Sequence, residues 1–403
     1  MTDHADVCAE PGVLTAAGLR RVLAVLCLTE IISWGVLYYA FPVLAPSIAA
    51  DTGWSVPAVT AAFSAGLVVS ALVGVPAGRW LDRIGPRRVM TAGSALAVPA
   101  LAGIAWAPTF PVFAGAWLLA GVAMAGTLYP PAFAALTRWW GPRRIVALTA
   151  VTLLAGLAST IFAPLTAALL GPLGWRGTYL VLGLVLAAVT VPAHLLGLRG
   201  RWPAAEAPRP GERAGPDHVV RSRAFLLLVV AIAGGSFTAF AVVVNQVPLL
   251  TERGLSTSAA AWALGLGGLG QVLGRLGYGR LAAMARVRAR AVLVLGLSAA
   301  TTALLALVPG PAGLLIAAAM LAGAVRGIFT LLQATAVTDR WGAAHYGRLN
   351  GIVSAPAMLA TAVAPWAGAA LAGPLGGYPR VFLLLAGVAV VAALLAAGSV
   401  PRS

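Results

Sequence analysis

Twelve predominantly apolar runs occupy most of this chain, at about 20–48, 57–81, 88–107, 111–137, 145–170, 177–197, 224–249, 258–281, 291–308, 313–338, 349–371 and 380–399. Most reach the roughly 20 residues that carry a helix across a hydrocarbon core, and the longer ones leave room for tilt. In lipid every backbone N–H and C=O must be satisfied within the protein, so a spanning segment is a helix or a strand of a closed barrel. These runs lack the two-residue alternation of barrel strands and therefore predict helices. Charged residues make up 9% of the chain, against about 25% in soluble domains. The expected fold is an all-α polytopic membrane protein with twelve transmembrane helices.

Arginine placement sets the expected orientation. All 27 basic residues are arginine, and 22 fall in the tails or in the turns that follow even-numbered runs. Arg176, Arg253 and Arg380 lie on the other side, and Arg275 and Arg326 lie inside runs. The positive-inside rule then predicts both termini in the cytoplasm of a bacterial-type plasma (inner) membrane. The net charge of +16 has no aromatic-interleaved basic stripe beside it, so nucleic acid is not an expected partner and the lipid bilayer is.

Residues 1–19, with Asp3, Asp6 and Glu10, lack the plan of a signal peptide and are expected to be a cytoplasmic tail. Residues 199–223, rich in Pro, Gly and charge, are expected to link two halves, 20–198 and 224–403. Cys8 and Cys27 define no disulfide framework or metal site.

The two halves repeat one another. Adding 201 carries Gly78-Arg79 to Gly279-Arg280, Arg87 to Arg288, Pro108 to Pro309, Trp140-Gly141 to Trp341-Gly342 and Ala163-Pro164 to Ala364-Pro365. A half-length parallel repeat in an apolar chain predicts two pseudo-symmetric six-helix bundles with a binding site between them.

The turn between the second and third runs reads Gly78-x-x-x-Asp82-Arg83-x-Gly85-x-Arg87-Arg88. Its spacing and place resemble the signature of the major facilitator superfamily. The resemblance implies that Asp82 accepts hydrogen bonds from a facing helix N-terminus, where the dipole favours an anion. It also implies that the glycines let helices approach closely, and that the arginines bridge to neighbours and latch the two halves. Arg138, at the end of the fourth run, is expected to brace this contact. In the second copy Ala283 replaces the acid and Arg286 the second glycine, so the latch is expected to be asymmetric.

Within that superfamily the chain looks most like the monocarboxylate and oxalate/formate-type anion porters. The stretches that carry this are Trp34 to Pro42 with Thr52-Gly53-Trp54-Ser55, Val247 to Ser256, and Gln271-x-x-x-Arg275-x-x-x-Gly279. The resemblance implies that Arg275 grips a substrate carboxylate. Two positions depart from the eukaryotic monocarboxylate porters: Val43 stands where they carry lysine, and Gln271 where they carry aspartate.

Ionisable groups at membrane depth are costly and point to function. Three lie inside the runs: Glu30, Arg275 and Arg326. A guanidinium offers a donor fork matched to a carboxylate, and two guanidiniums with one acid leave a surplus positive charge for an anionic substrate to neutralise. Alternatives for single residues are snorkelling by Arg275 and a structural Glu30–Arg326 pair. Glu30 is the candidate proton carrier, or else a fixed partner of an arginine. Tyr38, Tyr39, Tyr129, Asn245, Gln246, Gln271 and Gln333 are the polar groups expected to line a small cavity, with Trp34 and Phe41 equally suited to packing or to its wall. No cluster of nucleophile, acid/base or metal ligand suggests an enzyme, and no cofactor is expected.

The function that follows is secondary transport, by alternating access, of a small organic anion, a monocarboxylate, in proton symport or exchange by a monomer. The rival readings are proton-driven efflux of hydrophobic or cationic compounds, and a non-transporting membrane sensor.

Overall fold

The computed structural model describes residues 14–202, 217–342 and 345–401. The acidic start of the tail with Cys8, and most of the expected linker, lie outside the described residues. Twelve long helices run back and forth among those described. They are α1 (Ala16–Thr52), α2 (Val56–Ile84), α3 (Pro86–Trp106), α4 (Phe110–Trp140), α5 (144–173), α6 (175–197), α7 (Arg223–Glu252), α8 (Thr257–Met284), α9 (Val287–Leu307), α10 (Ala312–Thr335), α11 (Tyr346–Leu375) and α12 (Tyr378–Ala397).

Local chemistry sets the ends of these helices. Ser55 and Ser256, one repeat apart, each accept a hydrogen bond from a backbone N–H three residues on, at 3.3 and 3.2 Å. Ser222 caps α7 in the same way at 3.2 Å. Such caps are worth about 1 kcal/mol each. Gly174, at φ 63°, turns α5 into α6 with almost no loop.

Two helices are broken where they face the interior. α1 widens into a π turn at Gly35–Tyr39, which leaves Tyr38 and Tyr39 both buried. A Cβ on Gly35 would fall 2.2 Å from the Phe162 ring, so only glycine admits α5 this close. α4 breaks at Leu128, which is extended, because Pro130 and Pro131 cannot continue the hydrogen-bond ladder. Tyr129 then starts the second piece of α4.

Each half packs on the same plan: α2 against α4 and α3 against α6 in the first, α8 against α10 and α9 against α12 in the second. The halves meet along α2–α11 and α5–α8, the two pairs that the repeat exchanges. The Trp366 backbone N–H donates to Ser64 Oγ at 3.1 Å, and Thr160 Oγ1 donates to the Gly265 carbonyl at 2.8 Å. On the outer surface large apolar side chains are uncovered, among them Leu184 (69%) and Leu394 (68%), as a lipid-facing surface requires.

The face that carries the described chain ends, here the terminal face, holds most of the charge. Gly85, at φ 79°, makes the turn from α2 to α3. A Cβ on Gly78 would meet nothing within 4 Å, so Gly78 makes no close helix approach in this conformation, contrary to the sequence expectation. Asp82 pairs with Arg138 of α4, within its own half. Arg87 donates to the Leu195 carbonyl at 2.7 Å, while Arg83 and Arg88 are exposed.

Trp202 closes over this group. Its indole donates to the Asp82 carbonyl at 3.1 Å, lies 4.7 Å from the Arg138 guanidinium and meets Trp139 edge-on at 5.4 Å. The start of the expected linker is therefore tied to the signature turn.

The second half keeps the ion pair with its polarity reversed. The acid missing at Ala283 is supplied by Asp339, one repeat from Arg138, and it pairs with Arg290 of α9. Arg290 also lies 5.6 Å from the Tyr278 ring, and Tyr278 Oη bonds Thr335 Oγ1 at 2.7 Å. Asp339→Asn should cost about 2 kcal/mol, the value of a hydrogen bond to a charged group. Exchanging the two residues, Arg290→Asp with Asp339→Arg, should recover most of it; melting in detergent measures both.

Candidate functional site

Glycines bring α8 and α10 into backbone contact. A Cβ on Gly323 would fall 1.9 Å from the Gly267 carbonyl oxygen, one on Gly327 2.1 Å from that of Gln271, and one on Gly274 2.0 Å from that of Ala324. Small residues at such crossings are what tight packing in lipid requires. This contact places Gln271 and Arg275 on α8 beside Arg326 on α10, and all three face one cavity.

The cavity has a volume of about 640 Å³ and lies between the halves. Val75 (60% exposed) and Met358 (43% exposed) line its mouth, and both lie toward the terminal face. The α2–α11 and α5–α8 contacts close it beyond Ser64 and Gly265. The conformation is thus open on the terminal face and shut on the other.

Six of the polar residues predicted from sequence come together at the wall with Arg326: Tyr38, Tyr39, Tyr129, Gln271, Arg275 and Gln333. Arg326 Nε donates to Gln271 Oε1 at 3.0 Å, and one of its terminal nitrogens is buried without a partner. Arg275 donates to the Thr152 carbonyl of α5, across the interface, and its Nε is unpartnered. Arg275 therefore bridges the halves instead of snorkelling to the terminal face. No acidic side chain lines the cavity among the described residues.

Three predicted residues lie elsewhere. Asn245 is buried and donates to the carbonyls of Ala241 (2.9 Å) and Pro365 (3.3 Å), tying α7 to α11. Gln246 is buried outside the cavity lining, with its amide nitrogen unpartnered. Glu30 is wholly buried behind the wall, where its carboxyl group lies within reach of the Trp34 indole. It forms no ion pair with Arg275 or Arg326. Phe41 also belongs to the packing, stacked on Phe63 at 4.1 Å, whereas Trp34 lines the cavity.

Sequence reasoning missed Phe133, Phe240, Phe329 and Thr330, which also line the cavity. Thr330 lies one helical turn beyond Arg326 and Phe133 one turn beyond Tyr129, so helical spacing from those residues was the signal available.

Comparison with known proteins places this architecture. The chain is 32% identical over 253 residues to Monocarboxylate transporter 11 of Homo sapiens, covering 60% of this chain and 51% of that protein. The Mus musculus protein of the same name is 31% identical over 241 residues, covering 58% and 51%. The chain thus spans about half the length of these curated relatives.

Among solved structures, a bacterial homolog of the human lysosomal transporter Spinster, inward-facing and unoccupied, superposes with a TM-score of 0.77 at 15% identity, covering 95% of this chain and 97% of that one. A mutant of the nucleoside transporter NupG gives 0.74 at 14%, covering 93% and 98%. At such identity the likeness concerns the fold. The family model of the Major Facilitator Superfamily matches residues 26–284 and 226–403, nearly the whole chain, which is therefore a membrane transporter of that superfamily.

Proposed function

We propose that this transporter carries a small organic anion, a monocarboxylate, by alternating access. The observation that supports this most directly is Arg326, held by the neutral Gln271 with a donor nitrogen left unpartnered at a cavity that no acid lines among the described residues. An aspartate at position 271 would neutralise this guanidinium. The glutamine orients it and leaves its charge for a ligand. The name of the mammalian relatives points to the same class of cargo.

Coupling is assigned to Glu30. It is the acid enclosed at membrane depth within α1, and it forms no ion pair there. Symport would load Glu30 and the cavity together, and exchange would leave Glu30 unchanged. Glu30→Gln should therefore remove the pH dependence of net uptake and spare exchange. A pH profile identical to that of the parent protein would reassign Glu30 to structure.

Gating is assigned to the signature turn: Gly78, Asp82, Arg83, Gly85, Arg87 and Arg88, with Arg138. In the conformation described, the Asp82 side chain is engaged by Arg138 and its backbone carbonyl accepts from the Trp202 indole. Closing the terminal face would bring the turn toward α11. By the arginine count that face is cytoplasmic, in a bacterial-type inner membrane. The monomer contains the whole site.

Counterflow in proteoliposomes tests the reading without knowledge of the driving ion. Exchange of labelled carboxylates supports it. Exchange of hydrophobic cations alone would replace it with an efflux function.

A further inference from the structure

The two walls of the cavity differ in chemistry, although the second half also brings Phe240 and Phe329 to it. The second half supplies the groups that can hold an anion: Arg275 and Arg326, with Gln271, Thr330 and Gln333 around them. The first half supplies an aromatic surface of Trp34, Tyr38, Tyr39, Tyr129 and Phe133. Its rings are coupled into one face, with Trp34 5.0 Å from Tyr129, Trp34 5.4 Å from Tyr38, and Tyr129 stacked on Phe133 at 4.9 Å. The space between the walls, about 640 Å³, matches pockets that enclose drug-sized ligands. A two- or three-carbon acid on Arg326 would leave most of it wet.

A second argument comes from the transport cycle. A ligand shifts an equilibrium between conformations only as far as it binds one of them better. A small acid held by α8 and α10 alone touches one half and has little differential contact with which to draw the halves together. A ligand reaching from the arginines to the rings touches both.

Resting on the anion reading above, we propose that the substrate is an amphipathic aromatic carboxylate. Its carboxylate sits on Arg326, and its ring lies against the face formed by Trp34, Tyr129 and Phe133. The aromatic face contributes through apolar area and ring–ring contacts.

The test uses the full chain in nanodiscs, with binding read by thermal shift and by displacement in counterflow. The probes are acetate, phenylacetate, phenylacetamide and phenethylamine. Phenylacetate is expected to bind at least about tenfold (about 1.4 kcal/mol) more tightly than acetate, with the amide and the amine inert. Trp34→Ala should erase that preference, bringing phenylacetate to the affinity of acetate. Phe133→Leu, a milder change, serves if the first variant does not fold. Equal binding of acetate and phenylacetate would overturn the aromatic assignment and leave the anion reading standing. Binding of the amide or the amine as tight as that of the acid, or no binding by either acid, would overturn both.

Discussion

Arg326→Ala is expected to abolish carboxylate exchange while leaving a folded, membrane-inserted protein. Removing one partner of an enclosed charge-assisted contact costs about 2–5 kcal/mol, which is about thirty- to several-thousand-fold in affinity. Arg326→Lys should recover only part of this. An ammonium keeps the charge but lacks the planar fork, and it cannot donate to Gln271 and to a ligand in the same geometry. Gln271→Leu should have a smaller effect, since it removes the orienting acceptor and leaves the charge in place. Direct binding of a labelled carboxylate that exchanges in counterflow measures all three. Unchanged affinity in Arg326→Ala would remove this residue from the site.

Gly323→Leu is expected to produce the largest loss of stability. The added side chain would start 1.9 Å from the Gly267 carbonyl oxygen, a backbone atom that cannot rotate aside. Overpacking of ordinary cores costs about 1–3 kcal/mol, and here α8 and α10 must separate. The cost should therefore reach the top of that range or exceed it, and the melting temperature in detergent should fall accordingly. Because the same contact sets Arg275 beside Arg326, whatever folded fraction remains should bind poorly. Gly313→Ala, on the same helix with nothing within 4 Å of its Cβ, is the matched control and should melt like the parent.

The course of the chain through the bilayer could be read from sequence because lipid permits few solutions. Apolar length gives helices, and the 201-residue shift gives two equivalent halves. Some boundaries were clear in composition and others were not. Ten stretches among the described residues are long and apolar enough to span. One of them, Arg144–Gly197, holds two crossings folded at Gly174, and α8 is diluted by Gln271, Arg275, Arg280 and seven glycines. The arginines stood out because charge is rare at that depth. The fates of Glu30 and Asn245 did not, because helix rotation decides whether a polar side chain meets the cavity or the packing behind it. A π turn in α1 and a break in α4 reset that rotation within a few residues. The reversed ion pair could have been read directly, since the repeat carries Arg138 onto Asp339, but its partner Arg290 stands where the first half has Val89.

The guanidiniums of Arg275 and Arg326 face no acid in the cavity among the described residues, so the charge that the carrier moves depends on its cargo and on Glu30. If position 30 stays uncharged through the cycle, as in Glu30→Gln, a carrier returning without cargo moves the two positive charges of Arg275 and Arg326 through part of the membrane field. Each charge is subject to about 2.3 kcal/mol per 100 mV over the full thickness. A bound carboxylate cancels one of them. One-for-one exchange moves the same charge in both directions and should be indifferent to membrane potential. Symport, in which Glu30 gives up its proton with the cargo, leaves one net positive charge on the loaded and the unloaded carrier alike and should be indifferent too. Net uptake by Glu30→Gln, which carries two charges back, should instead depend on it.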